Sequence, residues 1–279
     1  VHVARYREYL PPPELRRRVV CFWTLVGTAA APSRILPDGC MDLLFDFTFA
    51  LPPSVVGAMT RALISEPSGT RVDFLGVRFQ PGEAWATLGA GDARSLRDLL
   101  VPLEDVWGSR ALELTERLAR LTTTRARIAR LVTELGAPPH AADARVRRAV
   151  QAMRERNGGV RVAEVAARVG MVERQLERLF DARVGVGPKT LASIFRVQAL
   201  LFRVEACGDW ARLATDLGYC DQAHLTRDLG RLAGVTPSAL ARALARRAPA
   251  DRRDASERSD DAMSELSNPP NGPLPILGG

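Results

Sequence analysis

The chain has 279 residues, of which 46% are hydrophobic and 25% charged, and a formal net charge of +7. This gives room for about two domains of ordinary size and excludes a disordered or membrane composition. No run approaches the roughly 20 apolar residues of a membrane span, and the opening "VHVARYREYLPPPELRRRVV" lacks the apolar core and small-residue cleavage site of a signal peptide, so we expect a cytoplasmic protein with no membrane partner.

The first elements in chain order are short β-branched and aromatic runs, "VVCFWTLVG", "MDLLFDFTFA", "VVGAM" and "TRVDFLGVRFQPG", punctuated by "APS", "LPPS" and "SEPSG". Such runs between Pro, Gly and Ser clusters predict strands joined by tight turns, hence a β-rich N-terminal third. Within it, "RILPDGC" sets a turn: Pro37 fixes φ, Asp38 bonds backbone and Gly39 accepts positive φ. Met41, Leu43 and Phe45 then alternate with Asp42, Leu44 and Asp46 along one strand.

From Asp92 the spacing turns helical through "DARSLRDLLVPLEDVW" and "ALELTERLARLTTTRARIARLVTELG", with Ala111, Leu114, Leu118 and Leu121 on one face. Helices packed on the sheet give an α+β N-terminal domain over residues 1–135. Residues 136–144, "GAPPHAADA", read as a linker. Residues 145–247 read as an all-α domain, and residues 248–279, rich in Ser, Asp, Pro and Gly, as a disordered tail.

Cys21, Cys40, Cys207 and Cys220 form no close pair, and His2, His140 and His224 are the only histidines. That spacing offers neither a zinc framework nor a disulfide scaffold, so no metal and no cofactor are expected. Cys40, between Asp38 and Asp42, admits a metal site, a reactive thiol or fold punctuation. Two carboxylates and one thiol suit zinc poorly and are too soft for calcium, and Arg34 is the nearest basic residue in local sequence that would lower the thiol's pKa. Punctuation is the preferred reading.

The charge is unevenly placed. Residues 143–247 hold 19 Lys or Arg against 11 Asp or Glu, residues 1–142 hold 17 against 15, and residues 248–279 hold 3 against 6. A basic segment beside near-neutral ones is the footprint of a polyanion partner. All of its cations but Lys189 are arginines.

Inside the basic block, Val162, Val165, Ala166 and Val169 make one helix face, Gly170 allows a left-handed stop, and Leu176, Leu179 and Phe180 begin a second face. The plan recurs with Leu213, Ala214 and Leu217, then Gly218, then Leu225, Leu229 and Leu232, with Asp221 as N-cap of the later helix. Each is a helix-turn-helix. One copy alone would suit a structural hairpin, but two in a basic block point to DNA. At about 100° per residue, Arg174 and Arg178 project opposite Leu176, with Glu177 and Asp181 alongside. Opposite Leu225 lie Ala223 and Arg227, flanked by His224, Thr226, Gly230 and Arg231. A major groove admits one such helix, and an outward Arg there bonds a guanine edge or a phosphate.

The stretch "GYCDQAHLTRDLGRLAGVTPSAL" resembles the second helix-turn-helix of AraC/XylS-type transcriptional regulators, and "VAEVAARVGMVERQLERLFDARVGVGPKTLASIFRVQAL" the first with its linker helix. Gly218, Tyr219, Asp221, Gln222, His224, Leu225, Gly234 and Pro237 carry the match. The N-terminal pieces "LPDGCMDLLF", "LGVRFQPGEAWATLG" and "VPLEDVWG" resemble a domain found in some of these regulators.

The resemblance implies a non-enzymatic, sequence-specific binder of double-stranded DNA that places two recognition helices in successive major grooves. Arg174, Glu177, Arg178, Gln222, Ala223, His224, Thr226, Arg227 and Arg231 are its candidate DNA-contacting residues. A small-molecule effector at the N-terminal domain, a contact with RNA polymerase and a homodimer are the further partners it suggests. Four residues depart from the family pattern: Arg161 and Val172 replace cap-forming serines, and Leu229 and Gly230 replace Phe and Arg. Two alternatives stay open, an alkylation- or redox-responsive DNA-binding protein built on Cys40, and an N-terminal half that serves only for assembly.

Overall fold

The computed structural model describes residues 3–247 except 31, 50, 90, 137, 139 and 204–209, and omits the side chains of 243–247. The tail expected to be disordered, Cys207 and His2 therefore lie outside the described residues. The architecture is α+β: a mainly antiparallel sheet with helices on it, followed by helices alone. Among the described residues no helix is long and apolar enough to cross a membrane.

Among the described residues the strands are β1 (Arg5–Tyr9), β2 (Val19–Thr28), β3 (Ser33–Ile35), β4 (Met41–Asp46), β5 (Leu51–Val56), β6 (Leu63–Ser65), β7 (Arg71–Phe79) and β8 (Leu100–Pro102). Six of them form a sheet in the order β1-β2-β7-β4-β5-β8, every neighbour antiparallel, and β3 pairs with β6 in a separate ribbon. Side chains alternate across each strand. Phe22, Leu43, Phe45, Val55, Leu75 and Val77 share one buried face, where they join Leu114 and Leu118 of α3 (Ser109–Ala119) and Leu131 of α4 (Thr124–Glu134) in one core.

The opposite face carries polar groups. Tyr6 stacks on Trp23, whose indole nitrogen donates to Asp42 at 3.0 Å. Arg78 lies 3.3 Å from Asp42, 3.1 Å from Asp38 and 3.7 Å from Glu8. A Cβ at Gly76 would sit 2.0 Å from the Trp23 ring, so glycine is what lets the indole lie flat on the sheet. Burial pushes the Asp42 carboxyl up to about 6, against the pull of Arg78.

Two sequence expectations need correction. Residues 92–107 do not form long helices: a 3₁₀ turn (Ala93–Leu96) leads into β8 and then the one-turn α2 (Glu104–Trp107). Asp98 adopts φ 57°, which breaks the helical path, and Pro102 is tolerated because β8 is an edge strand. Nor is "LPPS" simply a turn. Pro52 and Pro53 lie within β5, where the register against β4 slips between Leu44 and Asp46, the kind of irregularity that accommodates a missing N–H donor.

The expected turn at 37–40 is present. Gly39 has φ 77°, and the Cys40 N–H donates to the Asp38 carboxylate at 2.8 Å. The Cys40 thiol is pushed well above its ordinary range by burial and by Asp38.

After α4 the chain is tied down, not slack, where it is described: buried Arg18 donates to the Leu135 carbonyl at 2.8 Å and also to the Gly136 carbonyl. The helical half comprises α5 (Ala144–Glu155), α6 (Val162–Arg168), α7 (Glu173–Val184), α8 (Pro188–Arg203), α9 (Trp210–Asp216), α10 (Gln222–Ala233) and α11 (Pro237–Arg247). It packs on the sheet half without a gap, since one buried cluster runs through both. Polar ties reinforce the seam. Arg154 donates to Gln80 at 3.0 Å, Gln198 to the Pro37 carbonyl at 3.4 Å, and the Arg183 guanidinium lies 3.6 Å from the centre of the ring of Trp85, which belongs to α1 (Ala84–Leu88).

Candidate nucleic-acid interface

The two helix pairs are α6/α7 and α9/α10. Each turns on a glycine with positive φ, Gly170 at 72° and Gly218 at 74°, a backbone region that L side chains seldom occupy. Val165, Ala166 and Val169 pack inward beside Leu176 and Phe180, and Leu213, Ala214 and Leu217 beside Leu225, Leu229 and Leu232. These are the positions the apolar spacing selects, so burial fixes which face of α7 and α10 remains outside.

The helix starts differ. Asp221 caps α10 by accepting the His224 N–H at 2.6 Å. Val172 precedes α7 and has no side-chain oxygen to offer; the reciprocal half of a capping box survives, with Gln175 accepting the Val172 N–H at 3.2 Å. Arg161 likewise gives α6 no side-chain cap.

On α7, Arg174, Glu177 and Arg178 are exposed. The far end of that helix is occupied by the sheet half, through Arg183 on Trp85 and an Asp181–Arg97 ion pair at 2.7 Å. On α10, Gln222, Ala223 and Arg227 are exposed. Among the described residues Arg174, Arg178 and Arg227 enter no ion pair or side-chain hydrogen bond. Unpaired guanidiniums on an outer helix face suit phosphate or guanine.

The other three candidates are less available. His224 is half-buried, edge-on to Tyr219 with ring centres 5.1 Å apart, and its Nε2 lies 3.8 Å from Asp228. Thr226 donates back to the Gln222 carbonyl at 2.8 Å. Arg231 is exposed but donates to Asp228 at 2.8 Å. Buried Asp228 also faces Arg196 of α8 at 3.6 Å, and so ties the long helix to α10. The His224–Asp228 and Asp228–Arg231 spacings are visible in the sequence as helical neighbours; the Arg196 contact is not.

Sequence reasoning also missed two arginines of the sheet half. Arg34 donates to the Ala233 carbonyl at 2.9 Å, and Arg97 to the Gly185 carbonyl at 2.6 Å. No local pattern marks either residue, because the partners lie far along the chain. Among the described residues no cluster of His, Cys, Asp and Glu has the makings of a metal site.

Comparison with known proteins gives two domain matches. Residues 165–243 match a family described as a helix-turn-helix domain, and residues 7–102 match a domain of unknown function (DUF6597). No curated protein matches the chain. Among solved structures, it is similar to ToxT from Vibrio cholerae O395, at 11% identity over 85% of this chain and 96% of that one, with a TM-score of 0.37. It is also similar to the same protein bound to (E)-4-(8-methylnaphthalen-1-yl)but-3-enoic acid, at 11% identity, 85% and 98% coverage and a TM-score of 0.36. A third similar structure is unsaturated fatty acid bound wild-type ToxT from strain SCE256, at 10% identity, 85% and 93% coverage and a TM-score of 0.36. The helix-turn-helix match spans most of α6 to α11, both motifs included, so the C-terminal part of the chain carries an AraC-type helix-turn-helix domain.

Proposed function

We propose that this DNA-binding regulator reads an asymmetric site by laying α7 and α10 in successive major grooves of one duplex face. The observation that carries the proposal is the set of unpaired outward arginines on two separate recognition helices of one chain, Arg174 and Arg178 on α7 and Arg227 on α10. Gln222 and Ala223 complete the reading face of α10, and Glu177 that of α7. His224, Thr226 and Arg231 contribute by holding α10 in shape. We further assign residues 1–135 to a sensory or assembly domain, 136–144 to the linker and 145–247 to the DNA-binding domain.

Tyr6, Glu8, Trp23, Asp42 and Arg78 converge on the sheet and bond one another, and we assign this half the sensing of a small-molecule effector or assembly. Contacts with RNA polymerase and with a second copy belong to this proposal as further partners. The raised Cys40 thiol supports the structural reading of that residue over an alkylation or redox acceptor.

The test is selection of duplexes from a randomised pool by the full chain, followed by footprinting. Two protected patches about 10 base pairs apart on one face, with no palindrome, are expected. A single protected groove per chain would overturn the proposal.

A further inference from the structure

The two recognition helices end alike. Each stops at a glycine in the left-handed region, Gly185 at φ 88° after α7 and Gly234 at φ 65° after α10. A helix C-terminus leaves carbonyls without intrahelical donors and carries partial negative charge, so a cation there is favourable. At both ends the cation is an arginine from the sheet half. Arg97 donates through Nε to the Gly185 carbonyl at 2.6 Å and through Nη2 to Asp181 at 2.7 Å. Arg34 of β3 donates through Nη1 to the Ala233 carbonyl at 2.9 Å, so close that a Cβ at Gly234 would sit 2.8 Å from that nitrogen.

Both donors stand on braced backbone. Next to Arg97, Asp98 holds φ 57°, and its carboxylate accepts the Thr60 N–H at 2.7 Å and the Thr60 hydroxyl at 2.6 Å. Arg34 sits in a strand paired to β6, just before the 37–40 turn, which itself touches α8: a Cβ at Gly39 would lie 2.3 Å from Leu191.

We infer that Arg34 and Arg97 are positioning residues through which the sheet half sets the relative placement of α7 and α10, and with it the base-pair spacing the protein accepts; the inference rests on the two-groove reading above. The apolar faces of α7 and α10 fix which side of each helix is buried, but apolar contact is non-directional and tolerates small rotations. A hydrogen bond at the helix end is directional and removes that freedom. Spacing is sensitive to such freedom, since at about 10 base pairs per turn one added base pair swings the far half of the site by about 36°.

The experiment uses the full chain and a duplex it selects from a randomised pool, with derivatives carrying one or two base pairs added to or removed from the middle. Binding constants are measured for wild type, Arg34→Gln, Arg97→Gln and the double variant, with thermal unfolding alongside. Wild type is expected to lose about tenfold in affinity for each altered spacing, roughly the cost of one mismatched base pair. The double variant should lose most of that discrimination, to about twofold, and each single variant part of it, while affinity for a duplex carrying one half of the site stays within about twofold. A double variant that keeps the wild-type spacing profile overturns the inference and leaves the two-groove reading intact. A wild type indifferent to spacing overturns both. Should the double variant fail to fold, Arg34→Gln decides in its place, because it removes a single hydrogen bond from a half-buried side chain.

Discussion

Arg147 of α5 grips Glu83 with two nitrogens, at 2.8 and 3.1 Å, across the seam between the sheet half and the helical half. Glu83 is buried, while Arg147 reaches it from a half-exposed position. Removing the guanidinium leaves a buried carboxylate short of donors, which costs more than the pair itself contributes. Arg147→Ala should therefore lower stability by about 1 to 3 kcal/mol, and Glu83→Gln by less, since the amide keeps an acceptor for Arg147. Urea unfolding of both variants checks the order; equal or reversed effects would mean the seam does not depend on this pair.

A pH effect follows from Asp42. Its folded-state value of about 6 lies above the ordinary value of 3.8, so the folded protein binds a proton more readily than the unfolded chain between those limits. Stability associated with this group is present below about pH 4 and is lost as pH rises through about 6. Asp42→Asn should flatten the stability profile of the chain between pH 4 and 6. Parallel profiles for wild type and variant across that window would contradict the assignment.

Gly39 joins the 37–40 turn to the linker helix. It needs positive φ, and an added Cβ would strike Leu191 of α8 at 2.3 Å. Gly39→Ala should cost about 1 to 3 kcal/mol and loosen the contact between the halves. Cys40→Ser, by contrast, should disturb folding or expression more than DNA binding or any response to alkylating agents. A well-folded Cys40→Ser chain that loses such a response would restore the sensor reading.

How much of this was legible beforehand depended on whether the signal was local. The strand 41–46 alternates buried and half-buried residues as its sequence does, and the glycine-centred turns at Gly170 and Gly218 stand where apolar spacing places them. The Asp221 cap was readable because the cap and its partner are three residues apart. The failures at 92–107 and at Pro52 and Pro53 came from tertiary pairing that overrode local propensity: β8 exists only because Val101 finds Val55. Helical projection picks out the exposed face of α7 and α10 but not the inward turn of His224 toward Tyr219 and Asp228. Arg34 and Arg97 had no local signature, since their partners lie 199 and 88 residues away.

Gly230 occupies an exposed position in α10 with nothing within 4 Å of where a Cβ would stand. Glycine inside a helix costs about 1 kcal/mol relative to alanine. Gly230→Ala should recover about that much stability, and Gly230→Arg should in addition tighten DNA binding by adding a cation to the outer face. Weaker binding by a stable Gly230→Arg chain would show that the DNA backbone approaches this glycine closely.

The two-groove claim is tested most directly by base-resolved binding of Arg174→Ala, Arg178→Ala and Arg227→Ala to the selected duplex. Each lost bidentate contact should cost about 1 to 3 kcal/mol. Loss of base preference in one half of the site for Arg174→Ala and Arg178→Ala, and in the other half, about 10 base pairs away, for Arg227→Ala, is the expected result. Loss at the same few base pairs for all three, or a strict palindrome contacted by one motif per chain, would contradict it.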